Sequence, residues 1–551
     1  MIRHDHNNRL TNVAIALIAA LLFIPFLGGV HLFDWDEINF AESAREMIQS
    51  GDYLTVQINY IPFWEKPPLF IWMQVASMKV FGVNEFAARF PNAICGIVSL
   101  LVLYNLGRRL ISSRFGILWV LFYAGSLLPF FYFKSGIIDP WFNLFIFLGT
   151  YYFYEYLCLP SSALRNISGS SFFIGLAILT KGPVALLVFL LTAGIFILMK
   201  KLRVRLRLQD LLLYVLILAF TGGFWFILQI LKGNFSIIAD FIVYQIRLFR
   251  TEDAGHGGFL LYHFVVLFAG VFPASVFALP ALFGSGEKGS KKDFYRMMLI
   301  LFWVVLILFT IVKTKIVHYS SLCYFPLTFL AAWSFHHALH QAPRWKTLIQ
   351  ALTLLLGTIL ALTITTLTFI DHFKQDLIQA GWVQDPFAQA CLQAAGTWKG
   401  YEFLTGLLLF TGLTGFFMAW HRNNTGKGLY ILTGTMPVFM SVAMLLIVPR
   451  VEAYSQRAAI DFFISVRDQD AYLETVGYKS YAHLFYGRAK HHANPLARDE
   501  KWLLTGPIDK TAYFSLKINK KEKFMQEYSD VELLYEKNGF VFFKRTPNHE
   551  K

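Results

Sequence analysis

The stretch FDWDEINFAESAREMIQSGDYLTVQINYIPFWEKPPL, Phe33 to Leu69, decides how the rest of the chain is read. It carries Asp34, Asp36, Glu37, Glu42, Glu46, Asp52, Glu65 and Lys66, in a chain that is 56% hydrophobic and only 15% charged. The acids begin directly after the apolar run Val13 to Val30, which places them at a membrane surface. Asn39 to Met47 predicts a short helix with Phe40, Ala44 and Met47 on one face and Glu42, Arg45 and Glu46 on the other. That is the pattern of an interfacial helix. Glu65-Lys66-Pro67-Pro68 then sets an acid and a base beside a rigid proline pair, just where apolar sequence resumes. A plain solvated loop between two spans would also be charged, but it needs none of these three features.

Outward from this stretch the chain is a series of apolar runs. A membrane span takes roughly 20 apolar residues, and on that measure about thirteen segments qualify. They are Val13 to His31, Phe90 to Leu106, Phe115 to Phe133, Trp141 to Leu159, Phe172 to Thr180, Val184 to Met199 and Leu211 to Leu231. After those come Phe259 to Phe283, Met297 to Val312, Ser320 to His337, Leu348 to Ile370, Phe403 to Trp420 and Leu429 to Val448. Phe172 to Thr180 reads either as a full span that includes Ser168 to Ser171 or as half of a broken pair. Leu69 to Phe81 is apolar but short and is expected as a second interfacial helix. Val13 to Val30 has no small-residue cleavage site behind it and is expected to remain as a span.

The net charge of +14 belongs to topology, not to nucleic-acid binding. With the N-terminus inside, the inner loops carry Arg108, Arg109 and Arg114, then Arg165, then Lys200, Lys201, Arg203, Arg205 and Arg207. Lys288, Lys291, Lys292 and Arg296 follow, then Arg344 and Lys346, and last Arg422 and Lys427, as the positive-inside rule requires. The other side collects the unusual chemistry: the Asp36 loop, Lys134 to Asp139, Lys181-Gly182-Pro183, the Gly233 to Gly258 loop and the Lys313 to Tyr319 turn. Several loops that bring acids, bases and histidines to one face imply a single site at the outer membrane surface. Past residue 449 the sequence turns polar and mixed, so residues 1–449 are expected as the membrane domain and 450–551 as a small soluble extracytoplasmic α/β domain. Ser455 to Arg467 reads as helix; Trp502 to Thr505, Tyr513 to Ile518 and Gly539 to Lys544 read as strands. The four cysteines, Cys95, Cys158, Cys323 and Cys391, show no pairing or metal-ligand spacing.

Carboxylates and cations at the outer leaflet suit a substrate that is half lipid. A polyprenyl-phosphate sugar keeps its tail in the bilayer and its phosphate at headgroup depth. Transfer from it needs a carboxylate base near the acceptor and cations for the departing phosphate. A transporter or flippase of lipid-linked sugars is the alternative, but it would place ionisable groups near the midplane and tend to show repeated halves.

Asp36-Glu37, Ala41-Glu42, Ser50-Gly51-Asp52-Tyr53-Leu54 and Phe63-Trp64-Glu65-Lys66-Pro67-Pro68-Leu69 together resemble the first extracytoplasmic loop of GT-C glycosyltransferases. The similarity is to the ArnT and protein O-mannosyltransferase group. Glu85, Ala88-Arg89 and Pro91, then Ile138-Asp139, Leu179-Thr180-Lys181-Gly182-Pro183, Asp253-Ala254-Gly255-His256 and Lys315 with His318-Tyr319 follow in the same order. The resemblance implies the GT-C fold and an inverting transferase using a polyprenyl-phosphate sugar, with a glycolipid of the lipid A type, a protein or another glycan as acceptor. It implies a monomer in the inner membrane, with the site and the C-terminal domain facing the periplasm. Asp36 is implied as the main catalytic carboxylate, with Asp139 a second acid and Glu37 beside them. Lys66 would hold the lipid phosphate, helped by Lys181, Arg247 and Arg250, with Lys315 and Tyr319 lining the donor pocket. Glu65 and His256 would match a pair that binds a divalent cation, zinc before magnesium or manganese.

Bland roles stand beside these. Asp139 can cap the helix that starts at Pro140, Lys181 can snorkel from a span end, and His256 can be an ordinary loop residue. Arg247 and Arg250 fit phosphate binding and plain surface charge equally well, and His263 and His318 read as interfacial. Three departures from the ArnT pattern bear on which sugar is carried: Asn39 in place of the usual arginine, Phe40 in place of tyrosine, and Gly257-Gly258-Phe259-Leu260-Leu261-Tyr262 in place of a Trp/Tyr-rich run after His256.

Overall fold

The computed structural model describes residues 2–158, 162–201, 206–250, 257–283, 291–338, 343–396 and 398–547. Arg203, Arg205, Glu252, Asp253, His256 and Lys288 lie outside these, as does the side chain of Arg250. Each apolar run forms a helix or a helix pair. Among the described residues six helices are long and apolar enough to cross a membrane, and up to eight if each sharply bent pair counts as one span. Shorter apolar helices such as Asn8–Phe23, Ser113–Ala124 and Val184–Met199 pack with them.

Two runs that read as single spans are broken. Leu208–Gly222 and Phe224–Leu231 meet at 59°, and Tyr262–Gly270 and Ala274–Phe283 at 120°. The first break falls at Gly222-Gly223 and the second just before Pro273, where the helix ladder is weakest. The run ending at Thr180 resolves as the full helix Ala163–Lys181. It stops at Gly182, whose φ of +106° suits glycine alone and where an added Cβ would meet Phe241 at 2.7 Å. Gly233 to Gly258, expected as a loop, contains the helix Ser236–Arg250.

The helix Asp36–Ser50 is longer than its pattern predicted, and its charged face is not solvated. Glu42 and Glu46 are 0% exposed and Arg45 2%. Arg45 donates to both Glu42 oxygens at 2.5 and 2.6 Å and to the Ala489 carbonyl at 2.8 Å. The N–H groups of Asn59 and Tyr60 donate to Glu46 at 2.7 and 2.8 Å. What covers this face is the C-terminal region, so the helix is sandwiched between two layers of protein. A hydrophobic pattern reports one buried face but cannot report a second that is buried through polar contacts.

The C-terminal sheet has the strand order β3-β4-β6-β5, with β3 (Tyr472–Val476) parallel to β4 (Ala512–Lys517). β6 (Phe540–Arg545) is antiparallel to both β4 and β5 (Glu532–Lys537). A two-stranded hairpin, β1 (Gln57–Ile58) with β2 (Ile61–Pro62), lies in the first loop. The runs at Tyr513 and Gly539 are strands and that at Ser455 is the helix Arg457–Val466, as expected. Trp502 to Thr505 is instead part of the helix Glu500–Thr505, because the Asp499 side chain caps it by accepting from the Lys501 and Trp502 N–H groups. One hydrophobic cluster joins Ile38, Ala41, Ala44 and Met47 to Ala459, Phe462, Phe463 and Phe542. The C-terminal region therefore shares a core with the first loop.

Candidate active site

Arg89 ties the end of the first span to the first loop. From the helix Glu85–Leu110 it donates to the carbonyls of Leu27 and Val30 at 2.8 Å and of His31 at 2.9 Å. It also donates to both oxygens of Glu37, at 3.0 and 2.8 Å. Glu37 further accepts from the N–H groups of Phe33 and Gly136. Burial alone would raise its pKa, but the Arg89 charge and these bonds outweigh that and hold it below the usual carboxylate range. Asn92 donates to the carbonyls of Ser135 and Ile137 at 2.6 Å. Glu37 and Asn92 thus fix the short loop that delivers Asp139.

Past these supports lies a cavity of about 590 Å³, bordered by Asp36, Asp139, Glu65, Lys66, Lys181, His318 and Tyr319. Asp139 begins the helix Asp139–Cys158 and Lys181 ends Ala163–Lys181, so both stand at helix ends. Lys181 Nζ donates to Asp139 Oδ1 at 2.5 Å, while Asp139 Oδ2 is buried without a hydrogen-bond partner. Lys181 also lies 5.4 Å from the centre of the Tyr319 ring. His318 Nε2 is 3.4 Å from Asp36 Oδ2. Lys66 Nζ and the Arg247 guanidinium each lie 5.1 Å from the Tyr244 ring. Burial pushes the Lys66 ammonium below its ordinary pKa and Lys181 adds to this, against the opposing pull of Glu65, Asp36 and Asp139. Burial likewise pushes the His318 imidazole down. Asp36 remains 32% exposed at its side chain.

A carboxylate reachable from solvent, a second carboxylate with an unused oxygen and a cluster of cations together fit proton abstraction opposite a departing phosphate. Residues 65–225 match the family model described as dolichyl-phosphate-mannose-protein mannosyltransferase. The undecaprenyl phosphate-alpha-4-amino-4-deoxy-L-arabinose arabinosyl transferase of Pectobacterium carotovorum subsp. carotovorum (strain PC1) is 26% identical over 427 residues, 74% of this chain and 75% of that one. Its namesake in Yersinia enterocolitica serotype O:8 / biotype 1B is 28% identical over 427 residues, 74% and 72% of the two chains. The crystal structure of ArnT from Cupriavidus metallidurans bound to undecaprenyl phosphate superposes with a TM-score of 0.73 at 17% identity, covering 97% of each chain. The same protein in the apo state gives 0.75 at 18% identity, again over 97% of each. The chain is similar in sequence to these transferases and in fold to the ArnT structures.

Of the residues expected in the site, Asp36, Asp139, Lys66, Lys181, Tyr319, Glu65 and Arg247 all border the cavity. Glu37 borders it too, but its oxygens are committed to Arg89 and two backbone N–H groups, which makes it a support of the loop. Lys315 does not border it. Its Nζ donates to the carbonyls of Phe309, Thr310 and Val312 at 3.1, 2.6 and 2.6 Å. Phe309 and Thr310 hold two of the last carbonyls of the helix Lys291–Ile311 and Val312 follows its end, so Lys315 is a helix cap. Arg250 and His256 fall outside the described atoms. Among the described residues no group of three or more His, Cys, Asp or Glu side chains gathers where a metal could sit.

His318 and Arg89 are the residues whose roles the sequence did not yield. His318 read as interfacial because it sits at a span end. Only the turn Val317–Cys323, tied down where the Asn143 amide donates to Ser321 at 2.7 Å, brings it to Asp36. Arg89 entered only as part of the resembling Ala88-Arg89 motif, and no spacing rule pairs it with an acid 52 residues earlier.

Proposed function

We propose that the protein is a membrane glycosyltransferase that moves a sugar, with inversion, from a polyprenyl-phosphate donor to a glycolipid acceptor of the lipid A type. The observation that carries this reading is the meeting of Asp36 and the half-satisfied Asp139 with Lys66 and Lys181 in one cavity at the span ends. The acceptor hydroxyl attacks the anomeric carbon with an oxygen lone pair and its proton passes to Asp36. The bond from that carbon to the phosphate oxygen breaks, its electron pair leaves with the polyprenyl phosphate, and Lys66 and Lys181 meet the new charge. His318 orients the Asp36 carboxylate. Arg247, on the helix Ser236–Arg250, adds positive charge at the rim. That helix exposes Ile242, Val243 and Ile246 on its far side, as an interfacial helix does.

The protein acts as a monomer in the inner membrane, with the cavity and residues 450–551 on the periplasmic side. The sugar is a pentose or hexose; aminoarabinose is the first to test because the relatives are named for it. Glu65, with His256, is a candidate pair for a divalent cation, zinc first. Metal content of purified wild type against Glu65→Gln tests that pair, and equal content in the two removes it. A flippase is the weaker reading because the ionisable groups of the cavity stand at span ends instead of in mid-span. Mass spectrometry of envelope glycolipids and glycoproteins with and without the protein tests the whole reading. Loss of one sugar-bearing species on deletion is expected, and unchanged profiles overturn it.

A further inference from the structure

One side chain of the C-terminal region reaches the catalytic cavity. Lys479, in the turn after β3, is exposed, and its Nζ lies 4.3 Å above the ring of Trp35, the residue before Asp36. The turn is held in place. The Ser480 hydroxyl and the Tyr481 N–H donate to the Asp34 carboxylate. The Asp34 N–H in turn donates to Gln456 at 3.2 Å, and Gln456 donates to the Leu32 carbonyl at 2.8 Å. Asp34, the acid next to this turn, is thus bonded to Ser480 and Tyr481, with no ion pair to the Lys479 ammonium between them.

Lys479 also borders two spaces at once. One is the catalytic cavity; the other is a cleft of about 740 Å³ between the β1–β2 hairpin and the C-terminal region. The cleft's other charged groups include Glu474 and Glu500, whose carboxyls are raised by burial, Glu474 to about 7. An anionic group entering by this route therefore meets its cation at Lys479, beside Asp36. Lys66, Lys181 and Arg247, which suit the donor phosphate, come instead from the first loop and from helices of the membrane region.

We propose that Lys479 recognises the acceptor. It pairs with an anionic group of the phosphate class on the acceptor and so brings the attacking oxygen to Asp36. The inference rests on the transferase reading above and assigns to the C-terminal region a part in choosing what is glycosylated. The donor is not its target, because the donor phosphate belongs with the membrane-region cations and its tail with the bilayer.

The test uses the full-length protein in mixed micelles without donor, and measures binding of bisphosphorylated lipid A and, separately, of undecaprenyl phosphate. Lys479→Ala is expected to weaken lipid A binding about tenfold, the scale of one charge-assisted hydrogen bond, and to leave undecaprenyl phosphate binding unchanged. Lys479→Arg should restore most of the loss. Wild-type binding of lipid A should weaken as salt is raised, and less so in Lys479→Ala, a response that a purely structural lysine would not give. Unchanged lipid A binding in Lys479→Ala, an equal loss for undecaprenyl phosphate, or no lipid A binding by the wild type overturns the proposal. Lipid A binding that depends on Lys479 in a protein that transfers no sugar would strike the transferase reading, and with it the acceptor role, and leave only the binding contact.

Discussion

The helix Asp36–Ser50 has two ends with opposite fates. At its start Asp36 is a third exposed, and its one ion-pair contact among the described residues is a 3.4 Å approach to His318. Along its body Glu42, Arg45 and Glu46 are sealed beneath the C-terminal region, where burial raises Glu46 to about 9 beside Glu42. Glu37, one residue after Asp36, already belongs with the sealed group through Arg89. The difference teaches that acidic character does not mark function here. A carboxylate whose lone pairs are all taken holds the structure together, and one left with open valences at a cavity can do chemistry. Asp139 fits the second description, with Oδ1 held and Oδ2 free.

The sharpest way to break this contrast is to change the two neighbours separately. Asp36→Asn should lower transfer by ~10²–10⁴-fold, the usual weight of a general base, with undecaprenyl phosphate binding and the unfolding midpoint unmoved. Retention of more than about a tenth of the wild-type rate would remove Asp36 as the base. Glu37→Gln should act through the fold. It leaves the Arg89 charge buried without its partner, which costs ~3–5 kcal/mol, and the thermal midpoint of the solubilised protein should drop. A midpoint that stays put while transfer collapses would move Glu37 into the reacting group and erase the distinction.

Lys66 sharpens the donor side. Because burial holds its pKa below the ordinary value, the folded protein loses that charge at a lower pH than an exposed lysine, which titrates near 10.4. Undecaprenyl phosphate affinity, measured by titration, should therefore weaken as pH rises, from a point below that value, by up to about tenfold. Lys66→Arg, whose charge persists at high pH, should be flat over the same range. An equal alkaline loss in both would assign the limb to another group. The smallest effect belongs to Lys315. Lys315→Met should cost about 1 kcal/mol of stability by uncapping one helix end, with no change in undecaprenyl phosphate affinity. A tenfold loss of affinity would return Lys315 to the donor pocket.

Much of this was legible in the residues. Apolar run lengths located the helices, although among the described residues six to eight, not thirteen, are long and apolar enough to cross a membrane. The acid-rich stretch after the first span located Asp36, Glu65 and Lys66, and the span-end positions of Asp139 and Lys181 put them on the same face. Such features are local: a span, a cap or a charge at a membrane boundary is set by residues within a few turns of one another. The breaks at Gly223 and Pro273 were not read from the sequence, where both runs pass as single spans, and their angles depend on what each half packs against.

Only the tertiary structure decided which charges are spent. Whether Glu37 faces Arg89, Lys315 caps a helix, His318 meets Asp36 or Lys479 stands over Trp35 depends on elements brought together from distant parts of the chain. No periodicity encodes those pairings, because a hydrogen bond needs a partner within about 3 Å and the sequence carries no distances. The same holds for the covered face of the helix Asp36–Ser50. Its charges look solvated until the last hundred residues fold back over the first loop and supply the Ala489 carbonyl that Arg45 needs.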